Sequence, residues 1–230
     1  MPLLLTVMAS FATILGTLPI FLKFKNKDKI INYALNFASS IMLTISLFDL
    51  IPESIHYLNN IFLVLIFIIL GFMFVLFIDT IVSVKNNNTL YKVGVISLFS
   101  LIMHNIPEGI ITFIVSGYDL KIGITLAISI ALHNIPEGIS ISIPIYYSTN
   151  SKIKAFLYTF ISAITEPMAA IIIALTLKNN VNHLFIGYML SLTAGIMIYV
   201  AIFDILKETK LNKKIFIFSF IIMLLILFLL

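Results

Sequence analysis

Long apolar runs separated by brief polar breaks organise this chain. The stretch IFLVLIFIILGFMFVLFI at 61–78 is typical. A helix that crosses a bilayer needs about 20 consecutive, mostly apolar residues. Eight stretches meet that description: roughly 3–22, 31–56, 61–83, 93–117, 121–147, 155–177, 184–206 and 215–230. A transmembrane β-barrel would instead show segments of about ten residues alternating apolar and polar, and runs of this length exclude it. The breaks are short and no soluble domain is appended. The pattern therefore predicts an all-α polytopic membrane protein with one transmembrane domain over 1–230.

Composition supports that reading. Of the 230 residues, 61% are hydrophobic and only 10% charged, against about 25% charged in an ordinary soluble domain. The mean hydropathy is +1.15. Cysteine is absent, which removes disulfides, iron–sulfur clusters and thiolate metal sites. All 14 basic residues are lysine, and the net charge is +4. These lysines sit in the breaks, so they speak for orientation and not for a nucleic-acid partner. A cleaved signal peptide carries its positive charge ahead of its apolar segment. Here KFKNKDK follows the first apolar stretch, so 3–22 reads as a retained helix.

Alternate breaks hold twelve lysines: Lys23, Lys25, Lys27, Lys29; Lys85, Lys92; Lys152, Lys154; Lys207, Lys210, Lys213 and Lys214. The remaining breaks hold only Lys121 and Lys178. The lysine-rich side of a membrane protein faces the cytoplasm. The expectation is a multi-pass protein of the plasma (inner) membrane with both termini outside.

Two internal repeats stand out. The hexad HNIPEG occurs at 104–109 and again 29 residues later at 133–138, on spans four and five. A fainter pair, DLIPES at 49–54 and DILKET at 204–209, fits D-x-x-x-E-[S/T] on spans two and seven. Those two spans run in opposite directions. Oppositely directed copies are the mark of an inverted repeat, here three spans, a central pair and three more: a 3+2+3 inverted-repeat bundle.

The hexads carry the chemistry. A charge at the bilayer centre costs about 2.5–3.5 kcal/mol even on the lenient insertion scale. Yet Glu108, Glu137 and Glu166 all lie near the middle of their spans. His104 and Glu108 are four apart and share a helix face, and Asn105 lies about 100° around from His104. The same holds for His133, Asn134 and Glu137. The connection between spans four and five centres near Asp119, with His104 15 residues before it and His133 14 after. Folded as a hairpin, both hexads reach one depth, and Glu166 on span six can join them. Prolines sharpen the picture. Pro107, Pro136, Pro167 and Pro52 each deprive a carbonyl four residues earlier of its donor, close to a polar residue in every case. Such breaks are tolerated where the freed groups line a cavity or meet a neighbour.

Imidazole with carboxylate and amide oxygens, and no thiolate, suits a borderline to hard divalent cation such as zinc, iron(II), manganese or cobalt. Two carboxylates offered twice could bridge two ions. Asp49, Glu53, Asp204 and Glu208, at opposite ends of spans two and seven, are candidates for a transport path. Asp79, at the end of span three, reads as solvated. Two other functions fit parts of the pattern: an intramembrane zinc-dependent hydrolase using metal-bound water, and a proton-coupled carrier of an organic solute. No HExxH is present, and every polar candidate is committed as a ligand, leaving no free base. The reading is therefore not an enzyme and has no catalytic cofactor. Its expected partners are divalent metal ions and the lipid bilayer, with no nucleic acid, and a homodimer is one assembly open to it.

At these residues the chain resembles the ZIP family of divalent metal transporters, especially its broad-range bacterial, GufA-like branch. The family's fourth span carries HNxPEG, matched by His104 to Gly109. Its fifth carries H-[ND]-x-P-E-G, matched by His133 to Gly138, and its sixth a glutamate before proline, matched by Glu166 and Pro167. The resemblance implies eight spans with outside termini and a binuclear mid-membrane site taking zinc, iron, manganese, cobalt or cadmium as bound substrate. One ion would be held by His104, Glu108, His133 and Glu137. The other would be held by Asn105, Glu108, Asn134, Glu137 and Glu166. Some members have aspartate where Asn134 stands. The resemblance also implies an acidic exit residue in span seven, matched by Asp204. Many members have a histidine-rich loop between spans three and four; here it is VKNNNTLYK.

Overall fold

The computed structural model describes residues 1–85, 88–176 and 182–229. In chain order its eight helices are α1 (Pro2–Phe21), α2 (Lys27–Leu58), α3 (Ile61–Lys85), α4 (Thr89–Tyr118), α5 (Leu120–Thr149), α6 (Lys152–Thr176), α7 (Leu184–Glu208) and α8 (Lys213–Leu229). No strand occurs among the described residues. The first seven are long and apolar enough to cross a membrane. Helix α8, with 17 residues, is about 26 Å long.

The polar breaks are helix caps. Asn26, Asn88, Asp119, Ser151 and Asn182 each accept a hydrogen bond from a backbone N–H of the first turn they precede. Such side-chain acceptors satisfy donors that a helix start leaves open. Asn59 and Asn150 end their helices with φ of 47° and 53°, a region asparagine tolerates better than most residues. Because the caps sit so close together, successive helices fold back on each other through very short links. Several helices also start earlier than their apolar stretch. Lys27, Asp28 and Lys152 lie inside first turns, where a helix can extend into polar surroundings.

Helices α2 and α7 share an irregularity. Each contains a π-turn, Ser46–Leu50 in α2 and Val200–Ile205 in α7. Asp49 and Asp204 are the penultimate residues of these turns, so the DLIPES/DILKET repeat has a structural counterpart. A π-turn inserts one residue and re-aims the side chains beyond it.

The packing follows one exchange rule, α1 with α6, α2 with α7, α3 with α8 and α4 with α5. Helix α3 lies along α7 as α8 lies along α2. Helix α1 packs on α5 as α6 packs on α4, and α2 touches α5 as α7 touches α4. This is the inverted repeat expressed in contacts. It sorts the helices into two groups, α1, α4, α5, α6 and α2, α3, α7, α8, which meet where α2 faces α5, α7 faces α4 and, outside the exchange rule, α3 faces α4.

The hexad glycines obey the same rule. A Cβ on Gly138 would overlap the carbonyl of Thr13 in α1, and one on Gly109 would overlap the carbonyl of Glu166 in α6. Each hexad thus ends in a residue that lets a neighbouring backbone touch its own.

Candidate metal centre

Two helices deliver the site. Asp119 is the last cap of α4 and the first of α5: its N–H reaches Val115 O and its carboxylate accepts from Lys121 and Ile122. That one-residue joint sets the two hexads at a common depth. The His104 and His133 ring centres stand 6.2 Å apart.

Four side chains converge. His104 Nε2 lies 3.0 Å from Glu108 Oε1 and 2.9 Å from Glu137 Oε1. His133 Nε2 lies 2.8 Å from Glu108 Oε1. All four residues are at most 4% exposed, so little water screens them. Donor atoms of His104, His133 and Glu137 lie within 4.8 Å of one another, a grouping that could hold a metal ion. Ligands about 2.0 Å from a tetrahedral zinc ion stand about 3.3 Å apart. The observed separations are a few tenths of an ångström shorter, a gap that side-chain rotation can open.

The remaining residues add oxygens. Asn105 Nδ2 donates to Ser162 O at 3.0 Å, and Asn134 Nδ2 donates to Ala9 O at 3.1 Å and to Glu166 Oε1 at 2.7 Å. With both amide nitrogens tied elsewhere, Asn105 Oδ1 and Asn134 Oδ1 are left without a partner, as are Glu108 Oε2, Glu137 Oε2 and Glu166 Oε2. A buried acceptor without a donor is costly. Here several occur together, on residues of the types that ligate hard and borderline cations. Sequence reasoning missed the tethers, Ser162 and the Ala9 carbonyl, because they lie 57 and 125 positions away. Thr13 occupies in α1 the place that Glu166 holds in α6, each offering its carbonyl to a hexad glycine. Only one of the two related positions carries a carboxylate.

The path residues fall in two different settings. A cavity of about 300 Å³ is lined by Asp49, Glu53 and Tyr57 on one side and by Glu108, His133 and Ile122 on the other. It leads from the site towards the end of the bundle that holds Asp119. Asp204 is buried at 3% exposure near the opposite, lysine-rich end, with Oδ2 unpartnered. Glu208 lines a separate cavity there with Asp28 and Lys29. One expectation is corrected. Asp79 is not simply solvated: it receives the Tyr199 hydroxyl at 2.7 Å and lies 2.6 Å from Lys92 Nζ.

The profile of the family described as ZIP Zinc transporter matches residues 86–228. Among curated relatives, the zinc transporter ZupT of Oceanobacillus iheyensis is 34% identical over 233 residues, covering 90% of this chain and 87% of its own. The zinc transporters ZupT of Clostridium perfringens and Streptococcus mutans are each 30% identical, covering 91% and 90% of this chain and 87% and 86% of theirs. The chain belongs to the ZIP family, whose members are transporters and not enzymes.

Proposed function

We propose that this ZIP-family protein is a single-domain secondary transporter that carries zinc and related divalent cations into the cytoplasm. His104, Glu108, His133 and Glu137 take one ion. Asn105, Asn134 and Glu166, with the same two glutamates, take a second. The observation that carries the reading is the convergence of buried His104, His133 and Glu137 donor atoms beside unpartnered amide and carboxylate oxygens. A cation leaving water must have its hydration shell replaced, and one helix face has too few donors to do so. Two antiparallel helices with the same polar set have enough.

The donor types support a broad range, with iron(II), manganese, cobalt and cadmium beside zinc, as in the broad-range bacterial branch the sequence resembles. The cavity beside Asp49 and Glu53 supports entry from the lysine-poor face, and Asp204 with Glu208 supports exit at the lysine-rich face. The lysine distribution supports a plasma-membrane protein with external termini. Uptake of radioactive zinc into proteoliposomes tests the function. Saturable, time-dependent accumulation that cobalt and cadmium compete with is expected. A proteoliposome indistinguishable from protein-free liposomes would overturn it.

A further inference from the structure

The interface between the two helix groups is asymmetric. At the lysine-poor end it is open, with the cavity separating Asp49 and Glu53 of α2 from Glu108 and His133. At the lysine-rich end it is tied. Lys92 of α4 reaches Asp79 of α3 at 2.6 Å, and the second oxygen of that carboxylate takes the Tyr199 hydroxyl of α7 at 2.7 Å. One carboxylate thus binds three helices, and the Lys92–Asp79 contact crosses from one group to the other. Tyr199 is further fixed by Phe72 and Phe203, with ring centres 4.9 and 5.6 Å away.

Buried polar side chains lie between this tie and the site. Ser97 lies two turns from His104 on the same face of α4. Ser97, Ser100 and Thr193 are fully buried, and their hydroxyls have no partner. Asp204, in the π-turn just past Tyr199, leaves Oδ2 unpartnered. Hydroxyls serving packing alone satisfy themselves on the preceding turn, as Thr112, Ser140 and Ser191 do here. Unpartnered buried hydroxyls thus occur on both sides of the site, with Ser116 towards the open end.

The repeat supplies an internal comparison. The 29-residue offset that relates the hexads also relates Lys92 to Lys121. Lys121 is exposed, beside the cavity residue Ile122, and has no ion pair among the described residues. Of two equivalent lysines, the one at the closed end is paired and the one at the open end is not.

The geometry assigns to Lys92 the role of an inner latch: its ion pair with Asp79, braced by Tyr199, holds the lysine-rich end shut while the site is open on the other face. The assignment builds on the transport reading above, but the test does not depend on it. The chain has no cysteine, so Ser97→Cys is a single reporter between the tie and the site. In lipid nanodiscs, where both faces meet the reagent, its reaction with a small hydrophilic thiol reagent is timed. Lys92→Met should raise the rate about fivefold, the scale of one partly exposed ion pair. Lys92→Arg should leave it near the parent value, and so should Lys121→Met. Ser100→Cys serves as reporter if Ser97→Cys does not fold. An unchanged rate in Lys92→Met, or equal rises in Lys92→Arg or Lys121→Met, overturns the latch. Failed zinc uptake by the parent protein would instead overturn the transport reading.

Discussion

The Asn134 amide nitrogen donates to Glu166 Oε1 at 2.7 Å, so the amide holds a carboxylate in place while keeping its own oxygen free. Replacing that amide by a carboxylate changes both sides of the balance. Asn134→Asp sets two carboxylates against each other without metal and adds a charged ligand with it. The variant should melt below the parent protein in chelator, and zinc should raise its Tm by more than it raises the parent's. Protons compete with metal for the same lone pairs, so affinity should fall with pH in both proteins, and more steeply in Asn134→Asp. Thermal shift and zinc titration at several pH values measure this. An equal zinc-induced shift in the two proteins would count against Asn134 as a ligand.

Glu108 Oε1 lies 3.0 Å from His104 Nε2 and 2.8 Å from His133 Nε2, which makes it the hub of the cluster. Removing a group that merely orients a ligand costs about 10- to 100-fold in metal affinity. Glu108→Ala and Glu137→Ala should exceed that and abolish zinc uptake, with normal amounts of protein in the membrane. Uptake assays beside surface quantification check it, and near-normal transport in either variant would sink the shared-ligand idea.

The hexad glycines should be replaceable only at a cost in stability. In Gly109→Ala and Gly138→Ala the new methyl meets a carbonyl of α6 or α1, and overpacking of this kind costs about 1–3 kcal/mol. Gly117, whose Cβ would find nothing nearer than Pro2 Cγ at 3.9 Å, should accept alanine. Melting of the three variants in detergent is the comparison, with a drop in Gly117→Ala as large as the others as the contrary result.

Orientation is open to a labelling test. Tyr118 is 82% exposed beside the α4–α5 joint, and Lys25 is exposed between α1 and α2. In intact cells an impermeant thiol reagent should modify Tyr118→Cys readily and Lys25→Cys only after the cells are opened. The reverse pattern would invert the assigned direction of transport.

The helices were legible because apolar runs of this length have one membrane solution, and because the asparagine, aspartate and serine in the breaks are the residues that cap helices. Their ends were less so, since Lys27, Asp28 and Lys152 continue a helix without adding to its apolar signal. The π-turn of α7 was invisible, since VAIFDI contains neither glycine nor proline; that of α2 had only an indirect signal, Pro52, which leaves the Phe48 carbonyl within SLFDL without its usual donor. In the site, residue types and spacing pointed to His104, His133 and Glu137, whose donor atoms meet in the structure. The tethers that aim the amides are long-range, and the chain holds no local record of them. Asp79 was misread for the same reason, as its tyrosine partner lies 120 positions away.

The Asp119 joint has a consequence for ion choice. A single residue caps both helices, so there is no slack by which α4 could slide past α5. The two hexads are held in register along the helix axes by the joint, and their backbones are kept apart by the packing around them. Adjustment to ionic radius is left to side-chain torsions alone. Ions close in size but different in ligand-field preference then meet the same cage, while one much larger or smaller meets ligands that cannot follow it.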